Sequence, residues 1–226
     1  MSRASAAAAG AAAAAFAVLA ALVAAGTLTG LDQWAVDHVM QGTSLGGKPT
    51  FADAVVPLLG ERWHGTWHIL SVLVTVPASF TPALLITAAA CAELRSRAAA
   101  ALAAGFVAGN VVEVVVKGTL ARPALYAGDV HLAGFDASFP SGHTIRTVLV
   151  VLAVAWAWPR LTWWAVAWAP ASIALLLLGG QHVPSDIAGG LLVAAMVVAT
   201  TWSWRFGSAP RSRRPSPAGR PSAREP

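Results

Sequence analysis

Six stretches of the chain are apolar for long enough to be read as membrane spans: residues 9–30, 67–91, 97–117, 142–158, 161–180 and 185–204. A helix that crosses the hydrocarbon core needs about 20 largely apolar residues, and each run comes close to that. The first follows "MSRAS" and is dominated by alanine. Its apolar run exceeds the usual ~7–15 residues of a secretory signal core, so it reads as a retained helix. Residues 31–66 break the pattern with Asp32, Asp37, Lys48, Asp53, Glu61 and Arg62, and read as a loop with short interfacial helices. The final stretch, "GSAPRSRRPSPAGRPSAREP", has no apolar groups to bury and is expected to be disordered. The pattern divides the chain into residues 1–30, an N-terminal segment with the first transmembrane helix; 31–204, a core holding transmembrane helices two to six; and 205–226, a basic tail. The fold class expected is all-α: an integral membrane bundle of six transmembrane helices.

Composition supports membrane integration. Apolar residues make up 57% of the chain and charged residues 11%, whereas soluble domains average about 25% charged. The single cysteine, Cys91, excludes an internal disulfide and reads as a small apolar helix residue. Arginine outnumbers lysine thirteen to two, and with the abundant Ala, Gly and Pro this points to a GC-rich bacterial genome. The net charge of +5 would suggest nucleic acid in a soluble protein, but six apolar spans conflict with that partner. Its distribution instead sets orientation, since cytoplasmic loops are enriched in Lys and Arg. With six spans, one side receives Arg3, Arg95, Arg97, Arg160 and six arginines from Arg205 onward. The other receives Lys48, Arg62, Lys117 and Arg122, with Arg146 just inside span four. Both termini are therefore expected in the cytoplasm, in a bacterial cytoplasmic membrane, with the tail against anionic headgroups at about 1 kcal/mol per basic residue. Trp156, Trp158, Trp163, Trp164, Trp202 and Trp204 mark the cytoplasmic interface, and Trp63 and Trp67 the outer one.

Three polar constellations then fall on the outer face. "NVVEVVVKGTLARP" ends span three, with Glu113 and Lys117 four apart on one helix face and Arg122 following. Alone, such cations serve as interfacial anchors. "FDASFPSGHTIRT" opens span four: Ser141 is the expected cap of a helix start at Pro140-Ser141-Gly142, His143 lies in the first turn, and Arg146 follows one turn later. A helix N-terminus suits phosphate oxygens. "LLLLGGQHVPSDIAGG" opens span six, with Pro184 at the first helical position, Asp186 in the first turn and His182 just before it. A carboxylate there is placed to hold one imidazole nitrogen and leave the other as base or nucleophile. Two histidines with one Asp make a poor zinc set, and no cysteine cluster suggests a metal. Cations and helix N-termini describe an anion pocket, and histidines beside it at headgroup depth point to phosphate ester cleavage. His38, His64, His68 and His131 match no motif and read as surface or interfacial groups.

The order of Lys117, Arg122-Pro123, "PSGH" at 140–143 and "GGQHVPSD" from Gly179 resembles the type 2 phosphatidic acid phosphatase superfamily, membrane lipid phosphatases related to vanadium haloperoxidases. The resemblance covers residues 52–204 and implies a haloperoxidase-like helical core and a lipid phosphate substrate held at the bilayer. It implies His182 as the nucleophile that takes the phosphoryl group, Asp186 as its orienting partner and His143 as the acid for the leaving oxygen. Lys117, Arg122 and the backbone at Ser141 and Gly142 would hold the phosphate, with no metal or other cofactor. Two features depart from the family. Four residues separate Lys117 from Arg122 where six are usual, and Leu175-Leu176 stands where the third motif carries Ser-Arg. Arg146 is the candidate substitute for the missing arginine, the competing reading being an ion pair with a carboxylate such as Asp136. The functional expectation is hydrolysis of a lipid phosphate or diphosphate monoester (polyprenyl diphosphate, phosphatidate or phosphatidylglycerol phosphate) outside the cytoplasm. The alternative is a non-catalytic lipid-phosphate-binding or transport-related protein that keeps the fold.

Overall fold

Alanine is the strongest helix former, and the alanine-rich start of the chain forms α1 (Arg3–Ala24). The computed structural model describes residues 3–40, 73–94 and 97–206. α1 ends where Gly26 takes φ +73, a left-handed conformation that favours glycine. The chain restarts as α2 (Thr29–His38), whose buried face is Asp32, Ala35 and Val36. The single first span expected over 9–30 is therefore two helices meeting at a turn, and the first part of the stretch read as a loop is helical. A Cβ on Gly26 would meet the Pro123 ring at 2.9 Å, so this turn seats α2 against the segment that carries Arg122. The remainder of that loop, with Lys48, Arg62, Trp63 and His64, lies outside the described residues, as do the start of the second expected span, with Trp67 and His68, and the tail from 207.

The bundle continues with α3 (Phe80–Leu94), α4 (Arg97–Thr119), α5 (Gly142–Ala157), α6 (Thr162–Leu178) and α7 (Pro184–Phe206). Among the described residues, four helical stretches are long and apolar enough to cross a membrane: Arg3–Ala24, Arg97–Thr119, Pro159–Leu178 and Pro184–Trp204. The fourth expected span, 142–158, appears as α5 within one residue of its bounds, 16 residues long, and the described part of the second, 67–91, holds helical residues 73–75 and the 15 residues of α3. Local features set these ends. A 3₁₀ turn at Val76–Ala78, with Pro77 in it, and an extended Ser79 delay the start of α3. Ser141 caps α5 at one end, and Trp158 leaves the helix ahead of Pro159 at the other. Among the described residues there is also a small antiparallel hairpin, β1 (Tyr126–Ala127) with β2 (Val130–His131), which the all-α expectation lacked.

α5 is the axis of the molecule. α3, α4, α6 and α7 all pack on it, and α7 in turn packs on α1 and α4. Three apolar layers follow from this arrangement. Ala98, Leu102, Leu152 and Trp156 fill the end that carries Arg97 and Arg160, where Trp156 and Trp202 lie 6.3 Å apart and Trp163 and Trp164 point outward. Phe106, Ile145, Leu149, Val193 and Val197 fill the middle. Val36, Leu125, Leu132, Phe135 and Val183 seal the opposite end, where Gln33 ties α2 to the hairpin through Tyr126 N and O at 3.0 and 2.7 Å.

Small residues set how closely the helices approach. At Gly190 an added Cβ would meet the Ser141 carbonyl oxygen at 2.6 Å and Thr144 Cβ at 2.8 Å. Gly190→Ala is therefore expected to force α5 and α7 apart at the start of α5, costing about 1–3 kcal/mol. A fall in the detergent-solubilised protein's melting temperature measures this, and an unchanged melting curve would contradict the close approach.

Candidate active site

The starts of α5 and α7 are joined directly. Ser141 Oγ accepts from Thr144 N at 3.2 Å, capping α5 as its sequence predicts, and Ser141 N donates to the Asp186 carbonyl oxygen at 2.9 Å. The Phe139–Pro140 peptide before the cap is cis. With both helix starts tied together, His143 and His182 face each other, ring centroids 5.9 Å apart and planes at 57°. His143 Nε2 lies 3.4 Å from Ser79 Oγ.

His182 stands on a short connection from α6. Its backbone N–H and that of Gln181 donate to the Leu176 carbonyl at 3.1 and 3.0 Å, and Gly180 at φ +70 turns the chain toward Pro184. Leu176 itself is fully buried. His182 Nδ1 lies 3.3 Å from Asp186 Oδ2, which leaves Nε2 as the nitrogen without this carboxylate. Asp186 is completely buried, and Arg122 NH1 donates to its Oδ1 at 2.9 Å. Arg122 NH2 donates to Asp32 Oδ2 at 2.7 Å. Asp32 also accepts from Ser185 Oγ at 2.6 Å and Ser185 N at 3.0 Å. Burial pushes the Asp32 carboxyl above its ordinary range, with the Ser185 and Arg122 contacts opposing that rise.

A second charged cluster lies against α5. Glu113 accepts from Lys117 Nζ at 2.8 Å and from Arg146 NH1 at 2.6 Å. Arg146 further donates from NH1 to Asn110 Oδ1 at 2.8 Å and from Nε to the Ala78 carbonyl at 2.9 Å. A Cβ at position 142 would fall on the Glu113 carboxylate, which is why glycine stands there. The expected Glu113–Lys117 pair is present. The alternative partner considered for Arg146, Asp136, is instead 2.9 Å from His131 Nε2 on the exposed hairpin side; Arg146 enters the bundle and finds the carboxylate on α4.

The structure thus brings the predicted residues together in two groups, His182–Asp186–Arg122 and Gly142–Lys117–Arg146, with His143 facing His182. Three participants were not singled out from the sequence. Asp32 carried one usable signal, its i, i+3, i+4 spacing with the apolar Ala35 and Val36. Ser185 and Asn110 carried none beyond polarity.

An imidazole with a carboxylate at Nδ1, a second imidazole facing it, and cations beside two helix N-termini form an arrangement suited to phosphoryl transfer. The sequence profile of the PAP2 superfamily matches residues 96–209, just over half of the 226-residue chain. The chain belongs to the PAP2 superfamily. PAP2 proteins are generally phosphatases acting on phosphate esters, and the apolar helices accord with a membrane protein of that kind. No curated protein and no solved structure matches the chain. The PAP2 segment contains Lys117, Arg122, Ser141, Gly142, His143, Arg146, His182 and Asp186, whereas Asp32 lies outside it.

The side chain of Arg122 is only 2% exposed and is shared by two buried carboxylates. Removing one partner of such a pair strands the other charge. Arg122→Ala is therefore expected to lower stability by about 3–5 kcal/mol, read as a large drop in melting temperature in detergent. A shift no larger than that of an exposed-arginine control would refute the pairing.

Proposed function

We propose that the protein is a membrane lipid phosphatase that hydrolyses a phosphate or diphosphate monoester of a lipid through a phosphohistidine intermediate. The observation that carries this reading is the facing pair of His143 and His182, 5.9 Å apart at two joined helix starts, in a PAP2 chain. His182 Nε2 attacks phosphorus; the P–N bond forms as the P–O bond to the lipid oxygen breaks, and His143 gives that oxygen a proton. Water then attacks the phosphohistidine, His143 takes its proton, and inorganic phosphate leaves with the P–N electrons returned to His182. Asp186 at Nδ1 offsets the positive charge His182 carries while phosphorylated.

Four groups hold the phosphoryl oxygens. At the start of α5 the Gly142 N–H serves the phosphate, while the Ser141 N–H is already given to the Asp186 carbonyl. Lys117 is tied to Glu113 by one hydrogen bond and is 27% exposed, leaving N–H groups for the substrate. Arg122 Nε meets no protein acceptor among the described residues. Arg146 is bound to the carboxylate that rests on Gly142, which sets its charge beside the phosphoryl group and supports it as substitute for the arginine absent at Leu176.

An apolar groove of about 380 Å³, lined by Phe80, Leu84, Phe106, Val107, Val111 and Val114, includes Asn110, the partner of Arg146. It supports an amphiphilic substrate whose chain stays in the bilayer, such as a polyprenyl diphosphate, phosphatidate or phosphatidylglycerol phosphate. The ends bearing Arg97 and Arg160 lie opposite the site, which supports a site facing outside the cytoplasm of a bacterial cell.

Phosphate release from short-chain phosphatidate and farnesyl diphosphate by the purified protein tests the reading. His182→Ala is expected to abolish release, and Arg146→Ala to lower kcat/KM by about 10²–10³, the loss typical of one charge-stabilising donor. Full activity in Arg146→Ala would exclude it as the substitute arginine. Absent release from every lipid phosphate, with lipid binding retained, would instead establish the non-catalytic binder suggested by Leu176.

A further inference from the structure

Asp32 sits at the edge of the site yet outside the PAP2 segment, on a helix whose other buried residues, Ala35 and Val36, are apolar. A carboxylate 1% exposed has to be compensated by charge and hydrogen bonds. Among the described residues its hydrogen-bond donors are Arg122 and Ser185, on the two segments that position His182. Arg122 then donates onward to Asp186, and Asp186 faces His182. A four-residue relay therefore runs from α2 to the reacting imidazole.

Resting on the reading of His182 as nucleophile, we propose that Asp32 is a positioning residue of the reaction: through Arg122 and Ser185 it holds Asp186, and so His182, in place. The need for such an anchor follows from charge. Arg122 bridges Asp186 and Asp32, and on the proposed reading its Nε also meets the substrate phosphate, an anion like Asp186. An unanchored guanidinium is drawn to the incoming phosphate and away from Asp186. The His182–Asp186 contact, at 3.3 Å, is already long for a hydrogen bond and has little to spare. Asp32 opposes the shift by holding NH2 while Asp186 holds NH1. Its second arm acts on α7. Ser185 N belongs to the first turn, where amides lack intrahelical acceptors, and Asp32 accepts from it across 153 positions of sequence. The charged and titratable groups around His182 are then Asp186 on α7, Arg122 before α5, Asp32 on α2 and His143 on α5.

The test compares wild type, Asp32→Asn, Ser185→Ala and His182→Ala on short-chain phosphatidate in micelles, with kcat and KM followed over pH. Asp32→Asn is expected to lower kcat by about 10–100-fold while KM stays the same or falls, because an Arg122 drawn toward the phosphate loosens its hold on Asp186 and His182 without weakening ground-state binding. The acidic limb of kcat/KM should move to lower pH, since one fewer negative charge favours the imidazolium form of His182 less. Ser185→Ala keeps the charge, so its kcat should fall by less than about tenfold with the limb in place. Unchanged kcat in folded Asp32→Asn, a loss confined to KM, or a loss with an unmoved acidic limb overturns the proposal. Where Asp32→Asn does not fold, Ser185→Ala decides, and wild-type kcat in that variant overturns it. An inactive wild type, or activity that survives His182→Ala, instead removes the phosphatase reading beneath it.

Discussion

Charge taken out of water has to be matched, and the site end of this bundle is organised around that requirement. Among the described residues, Lys117, Arg122 and Arg146 meet Asp32, Glu113 and Asp186 in two clusters. Each cluster is centred on a group bound from both sides: Arg122 between two carboxylates, Glu113 between two cations. Apart from Lys117 and Glu113, which share α4, the partners come from different elements, and pairing them is also what joins those elements. The Arg122 cluster ties α2 to α7 and to the segment before the hairpin. The Glu113 cluster ties α4 to α5, and through Ala78 to the turn before α3. Apolar packing fills the layers beneath, but it is non-directional; the ion pairs fix which residues face which.

The second constraint is steric. Two helix starts approach closely enough to share a backbone hydrogen bond, Ser141 N to Asp186 O at 2.9 Å. That closeness depends on Gly190 on α7, and Gly142 leaves the space that the Glu113 carboxylate occupies. One arrangement of small residues thereby serves packing and chemistry together: the histidines are brought face to face because the backbones that carry them touch.

The local parts of this picture were legible in the sequence. "PSGH" specifies a capped helix start through Ser141, four-residue spacing puts Glu113 beside Lys117, and Pro184 before Asp186 marks the start of α7. What the sequence left hidden is long-range. Asp32 and Ser185 are 153 positions apart, and no local period links them. Arg146 had a carboxylate nearby in sequence at Asp136, whereas its partner Glu113 lies 33 positions away on another helix. Span length misled for a related reason. Hydropathy reports how apolar a run is, not where a proline or a left-handed glycine breaks it, so 9–30 became two helices and the turn with Pro77 interrupts 67–91 ahead of α3.

The balance of charge has a consequence for the proposed chemistry. Three cations and three carboxylates cancel, so the two clusters together offer an incoming phosphate no net positive charge. In that proposed chemistry attraction comes from oriented donors, namely the Gly142 N–H at the start of α5, the Lys117 N–H groups that Glu113 does not use, Arg122 Nε and the Arg146 guanidinium, together with the proton on His143. An arginine at position 176 would add a permanent charge. With Leu176 there instead, the proposed reaction leans on Arg146 and on the proton that His143 transfers to the leaving oxygen. Once His143 has given it up, the site holds its phosphoryl group less tightly by charge, and the neutral imidazole is ready to take a proton from water. On that proposal, the missing arginine links capture of the substrate and release of phosphate to the protonation state of His143.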